Sequence, residues 1–449
     1  MASAPRRLTR LTPPFGGGPD KVTEAPTDGI EPGSRVKLGV SVPGTFGTVH
    51  VPWTARHGDW DPPHYFTDRM ERGPLGEWEH RHNFEESPEG GTVVRDQVTV
   101  RTLPQSLENA SGPSDKLMRG QLERIFAYRE RQLRGDLDFH DEHRGPRLRI
   151  AVGGASGLIG SQVCALLETG GHEVLRLKRG ASSGPGVIGW GPAKGRLNPH
   201  DLAGIDVVLH LGGSSIATRF TDKNKDEILC SRVESTQLLV RAIGQVPADQ
   251  RPRALVVGSA VGYHGTDRGD EILTEQQPPG EGFLAHVCDE WEKAAHGAEA
   301  YGVRVVNVRT GLVLTPSGGL LRPQLPLMTA GLSGPLAGAS SAELDRDRRH
   351  GRSGCAPGAV RGCLRSVHVA APNPVRQKDF ARIVAGVLHR PAIVPTPLAG
   401  PRALLGKEAT EELIAASHRV DVSKLLSAGY RFRHENLRDC AEHILGRVD

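Results

Sequence analysis

Residues 148–180 read LRIAVGGASGLIGSQVCALLETGGHEVLRLKRG. A short apolar strand, Leu148 to Val152, runs into Gly154, Gly157 and Gly160 in GxxGxxG spacing, and Leu158 to Leu167 continue as a helix. Glycine allows the tight turn and lets backbone N–H groups approach a pyrophosphate, against which the following helix sets its positive end. Strand, glycine triplet, helix and second strand in that order separate a dinucleotide loop from an ordinary turn. Gly154, Ser156, Gly157, Leu158, Ile159 and Gly160 are therefore expected to contact a cofactor. The second strand ends in Lys178 and Arg179. An NAD-selective site places an acidic residue there for the ribose 2′-hydroxyl, whereas basic side chains suit a 2′-phosphate. NADP(H) is expected, with NAD as the alternative cofactor and a solvated strand end as the plain reading of the two cations.

Outward from this unit, DVVLHLGG (Asp206 to Gly213) is the next buried strand. It brings His210, Leu211 and Gly212 to the strand end, where open α/β sheets bind ligands. For His210 the competing reading is a core histidine. NVRTGLVL ends another strand and points Arg309 toward the same crevice, or into an ion pair. A βα alternation continuing to about residue 390 predicts an α/β, Rossmann-like doubly wound parallel sheet over 148–390.

Several of these stretches resemble a known family. GGASGLIG, DVVLHLGGSSIATR, ILCSRVESTQLLVRAI, GSAVGYHG, DEILTEQQPPGEGFLAHVCDEWEKAA and VRVVNVRTGLVL are similar to the atypical short-chain dehydrogenase/reductases of the epimerase-like (NAD-dependent epimerase/dehydratase-like) type. Residues 391–449 resemble the small C-terminal domain of those proteins. The resemblance implies NADP(H)-dependent oxidoreductase chemistry on a small-molecule substrate that the sequence does not name. Most short-chain dehydrogenases use a Tyr with a Lys four residues later, whose charge lowers the phenol pKa. Here the corresponding helix, FLAHVCDEWEKAA, has no Tyr, and Lys293 follows Asp289. Ser259 and Tyr263 remain as catalytic candidates, each with loop packing as its alternative. A non-catalytic NADP-binding sensor or scaffold is the competing function.

The first third of the chain is different in kind. SRVKLGVSV, GTVHVPWTARH, HYFTDRMER, GEWEHRHNFEE and GTVVRDQVTVRTL alternate with period two, as half-buried antiparallel strands do. Met118, Leu122, Ile125, Phe126 and Leu133 then give one helical stripe. This order resembles the START/polyketide-cyclase superfamily. It implies an α+β helix-grip domain over 1–138, short of its first elements, before a linker at 139–147. Phe66, Trp78 and Phe84 would line a cavity for a hydrophobic ligand, or simply form its core.

Composition sets the outer limits. Among 449 residues, 56 basic and 52 acidic side chains leave a net charge of +4, which marks no dedicated nucleic-acid or membrane surface. No apolar run approaches the about 20 residues needed to span a bilayer. The N-terminus, MASAPRRLTRLTPPFGGG, has no apolar core for a secretory signal. The six cysteines show no metal-ligand spacing, so no metal site is expected and a reducing cytoplasm fits. The oligomeric state is not legible.

One stretch breaks the pattern. AELDRDRRHGRSGCAPGAVRGC (Ala342 to Cys363) has no aromatic residue and no sustained apolar period. In the resembled family this region carries Ser-Trp-Ile and then paired Asp residues. Codons for Glu343 to His350, read one nucleotide later, can spell Ser-Trp-Ile-x-Ile-Asp-Asp, since any Leu344 codon ending in TG followed by the G of Asp345 gives Trp. About residues 339–368 are therefore expected to be a frameshifted segment. Resequencing the gene checks this: a single-nucleotide shift should restore Trp-Ile and Asp-Asp, and its absence defeats the idea.

Overall fold

The structure, a computed structural model, describes residues 9–16, 21–24, 31–41, 49–101, 113–319, 321–337 and 365–447. The expected frameshifted segment thus lies outside the described residues except at 365–368, of which Ser366 to His368 already form part of a sheet strand. The chain divides into two compact units, one of 1–142 with 314–326 and 442–449, the other of 143–313 and 327–441.

In the first unit six strands form one antiparallel meander in chain order. They are β1 (Lys21–Glu24), β2 (Arg35–Ser41), β3 (His50–Asp61), β4 (Tyr65–Arg72), β5 (Glu77–Glu86) and β6 (Thr92–Arg101). Alternation puts Trp78, His80, His82 and Phe84 of β5 on one face. Phe66 stacks on His82 with ring centroids 4.2 Å apart, and Trp53 meets Trp78 edge-on at 5.5 Å. The long helix Pro113–Glu142 covers this face, with Phe126 edge-on to His80 at 5.5 Å. Residues 139–142, expected in the linker, are its last turn. Nothing in FHDE breaks a helix, and the backbone leaves helical geometry only on the approach to Gly145 and Pro146. A short pair, β15 (Leu314–Thr315) with β16 (Gly318–Gly319), also groups with this unit.

The second unit is built on an eight-stranded sheet in the order β10-β9-β8-β7-β11-β12-β14-β18. Its strands are β7 (Arg149–Gly153), β8 (Glu173–Arg179), β9 (Val187–Gly191), β10 (Arg196–Leu197), β11 (Val207–His210), β12 (Ala254–Ala260), β14 (Arg304–Thr310) and β18 (Ser366–Val369). Only β10 runs antiparallel to its neighbour. This is the Rossmann-like arrangement. Ala151, Val152, Val208, Leu255, Val257 and Val305 are essentially inaccessible, as strands covered on both faces require. Strand order reverses between β7 and β11, which opens a crevice beyond their C-terminal ends.

The C-terminal segment closes the unit. β20 (Ser417–Val420) pairs in parallel with β13 (Asp267–Leu273), and β17 (Leu336–Ala337) with β19 (Thr396–Pro397). The Glu412 carboxylate accepts from the Phe283 and Leu284 N–H groups at 2.8 and 2.7 Å, capping the helix Phe283–His296. Among the described residues no helix is long and apolar enough to cross a membrane.

Candidate functional site

The crevice between β7 and β11 carries the glycine loop. Gly154 has φ +79, and a Cβ there would sit 2.7–2.8 Å from backbone atoms of Leu211 and Gly212. A Cβ on Gly160 would overlap the Gly154 carbonyl oxygen, so the helix can begin this close to the loop only without a side chain. The Gly157 N–H donates to the Gly154 carbonyl at 3.0 Å, which fixes the turn. The helix Leu158–Thr169 then starts with no side-chain cap and no acidic residue in its first turn. Its first N–H groups have no intrahelical acceptor and face outward, the arrangement that binds anions. Ser156, Gly157, Leu158 and Ile159 are all exposed, the two aliphatic side chains at 38% each. The structure thus brings Gly154, Ser156, Gly157, Leu158, Ile159 and Gly160 together with Leu211 and Gly212. Lys178 and Arg179 stand exposed at the end of β8, and neither pairs with a carboxylate among the described residues.

His210 belongs elsewhere. It lies opposite Gly153 in register, and a Cβ on Gly153 would come within 2.5 Å of its Nδ1. The imidazole is fully buried, edge-on to Trp190, with Nε2 2.8 Å from Ser235 Oγ. That hydroxyl donates to the Ser231 carbonyl at 2.6 Å, so it accepts from Nε2–H and the ring is neutral. Of the two readings of His210, the buried side chain favours the core histidine.

One buried carboxylate gathers Arg309 and Ser259, and Tyr263 lies against Arg309. Arg309 donates from Nε and Nη2 to the two Glu292 oxygens, both at 2.8 Å, with side chains 3% and 7% exposed. Ser259 Oγ donates to Glu292 Oε1 at 2.7 Å, committing its proton. The Arg309 guanidinium lies 3.4 Å over the Tyr263 ring. Burial, more than the attraction of Arg309, holds the Tyr263 phenol above its usual pKa. Lys293 is exposed and paired with Asp289 at 2.6 Å and Glu290 at 2.9 Å on its own helix. On this helix Lys293 thus meets carboxylates, where the usual pair would set a Tyr beside it.

Sequence reading missed Glu292, because a single acid on an amphipathic helix looks solvated. It also missed the pair formed by His264 and His368, both inaccessible, whose Nε2 atoms are 2.9 Å apart. His368 Nδ1 lies 2.9 Å from the Asp421 carbonyl, which can only accept. His368 Nε2 is then the acceptor and His264 Nε2–H the donor, so both rings are neutral.

This predicts acid lability. Burial lowers the pKa of His210 to about 4, and burial with His368 lowers that of His264 to about 3. Both rings stay neutral when folded while the unfolded chain takes up protons near 6.5, so stability falls as pH drops through 6.5 and levels off below about 3. At pH 5 His210 alone should cost about 2 kcal/mol. Denaturant midpoints at pH 7 and pH 5 check this, and equal midpoints would refute it.

Known proteins share this arrangement. Residues 150–330 match the NAD dependent epimerase/dehydratase family, and residues 396–444 match DUF1731, a domain of unknown function. The Mycobacterium bovis epimerase family protein Mb2239 is 34% identical over 303 residues, 66% of this chain and 98% of the relative. A crystal structure described as a nucleoside-diphosphate sugar epimerase from Corynebacterium glutamicum is 28% identical with TM-score 0.74, covering 98% of this chain and 85% of that one. The human epimerase family protein SDR39U1, solved with NADPH, is 26% identical with TM-score 0.56, covering 67% of this chain and all of that one. With the glycine loop, the sheet and the C-terminal segment all matched, the chain belongs to the NAD-dependent epimerase/dehydratase family, in its SDR39U1-like branch with a DUF1731 C-terminal domain.

Proposed function

We propose that this chain is an NADP(H)-binding, epimerase-like oxidoreductase of the atypical short-chain dehydrogenase/reductase type. The observation that carries the reading is the uncapped helix end behind a loop whose Gly154 leaves no room for a side chain. A bound nicotinamide dinucleotide would supply hydride transfer. Backbone N–H groups of Ser156 and of 158–160 would hold its pyrophosphate, the exposed Leu158 and Ile159 would lie along it, and Leu211 and Gly212 would form the opposite wall. Lys178 and Arg179 would meet a 2′-phosphate, which agrees with the NADPH in the human relative.

Ser259, Tyr263 and Arg309 would keep the crevice floor rigid through Glu292 and would not shuttle protons. Proton transfer would then fall to the substrate or to water. A nucleotide sugar is the substrate class favoured by the Corynebacterium glutamicum neighbour. For the first unit, the six-stranded sheet and long helix support a helix-grip reading of START/polyketide-cyclase type.

NADPH titration followed by a panel of sugar nucleotides and carbonyls tests the proposal. Tight NADPH binding with turnover supports it, binding without turnover favours a sensor or scaffold, and absence of binding overturns both. Cofactor choice has its own test. Replacing Lys178 and Arg179 together with Ser should weaken NADPH relative to NADH by at least about tenfold, since a charge-assisted contact is worth roughly 1.5–3 kcal/mol. Equal affinity for both cofactors in the parent protein would defeat it.

A further inference from the structure

We propose that the first unit holds a divalent first-row metal ion, Zn²⁺ by its donor set, between Asp68, His80 and His82. The three residues offer ligand atoms that all lie within 4.8 Å of one another. They come from adjacent strands: Asp68 on β4 is the register partner of His80 on β5, and His82 follows two residues later on the same face.

Asp68 Oδ2 is 3.5 Å from His80 Nδ1 and 3.5 Å from His82 Nε2. Ligands bound tetrahedrally at roughly 2.0–2.2 Å stand about 3.3–3.6 Å apart, so both edges fit without rearrangement. The other ring nitrogens, His80 Nε2 and His82 Nδ1, lie 3.1 and 2.6 Å from one oxygen of Asp96 on β6. A carboxylate behind each imidazole fixes the tautomer and orients the lone pair toward a metal. With both rings neutral and both N–H groups donated to Asp96, two lone pairs and a carboxylate oxygen would converge with no hydrogen between them. A cation resolves that convergence.

Packing holds the rings in place, His82 against Phe66 at 4.2 Å and His80 against Phe126 at 5.5 Å. His80 is buried, while the side chains of Asp68 and His82 are 19% and 21% exposed, which leaves a path for the ion. Nearby, His57 on β3, the register partner of Asp68, has a buried Nδ1 without a hydrogen-bond partner. Two imidazoles and one carboxylate suit Zn²⁺ better than Mg²⁺ or Ca²⁺, which take oxygen ligands.

The test uses the full chain without a purification tag, stripped of metal. Zn²⁺ should bind at one equivalent by calorimetry, and Co²⁺ should give the intense visible bands of a tetrahedral site in the unaltered protein. Asp96→Asn should weaken Zn²⁺ by roughly 10–100-fold. Asp68→Asn and His82→Gln should weaken it further, with circular dichroism confirming each fold. Failure of the unaltered protein to bind Zn²⁺, or equal affinity in Asp68→Asn and the parent, overturns the proposal and leaves a ring of ion pairs.

Discussion

Arg309→Met should lower the stability of the second unit by about 3–5 kcal/mol, because it strands the Glu292 carboxylate. With both side chains under 10% exposed, no solvent shell replaces the two 2.8 Å bonds that are lost. The remaining donors are Ser259 at 2.7 Å and a long contact from Asn307 Nδ2 at 3.4 Å, too few for a buried charge. The Tyr263 ring also loses the cation stacked on it. At about 2–4 °C per kcal/mol the midpoint should fall by roughly 10 °C. Removing both charges as Glu292→Leu with Arg309→Met should recover much of the loss, since the penalty belongs to the unpaired charge. A drop in the single variant no larger than that of Lys293→Ala, which breaks an exposed pair, would mean that water reaches Glu292.

Gly160→Ala should abolish measurable NADPH binding. The added methyl would overlap the Gly154 carbonyl oxygen, so loop and helix must part. Parting them would turn the helix N–H groups away from a bound pyrophosphate, and losing two charge-assisted bonds of about 1.5–3 kcal/mol each weakens binding by at least about a hundredfold. Gly157→Ala is the informative contrast. A Cβ there lies 3.2 Å from the same oxygen, at φ −74, so the loop keeps its path and the methyl intrudes only on the anion's side. Its affinity should fall while its melting temperature holds. Parental NADPH affinity in Gly160→Ala would remove the loop from the cofactor site.

The parts of this protein that follow from local periodicity were legible in the chain. The strand–glycine–helix order of 148–180 and the alternation of β5 both announce their elements, because side-chain spacing and backbone geometry share one period. What side chains do across the sheet was not legible. His210, Ser259 and Arg309 all fall at strand ends, where ligands bind, yet they turn inward. Their partners are Ser235 and Glu292, on helices 25 and 33 residues from His210 and Ser259, and no local signal reports those pairings. The two histidines of EHRHNF did carry a signal, an alternation on one strand face. Reading metal sites from cysteine spacing alone passed over it.

The pairing of β13 with β20 bears on how such proteins are cut and recombined. The family matches end at 330 and resume at 396, which suggests two exchangeable modules. The hydrogen bonds cross that boundary repeatedly: Glu412 caps the helix of Trp291, the Asp421 carbonyl anchors His368, and Lys424 reaches the Ser366 carbonyl. A chimera that imported the sheet from one relative and the tail from another would keep these contacts only where it also carried Glu412, His368 and Lys424, the side chains that reach across to backbone. Sheet and tail must travel together, as one heritable piece.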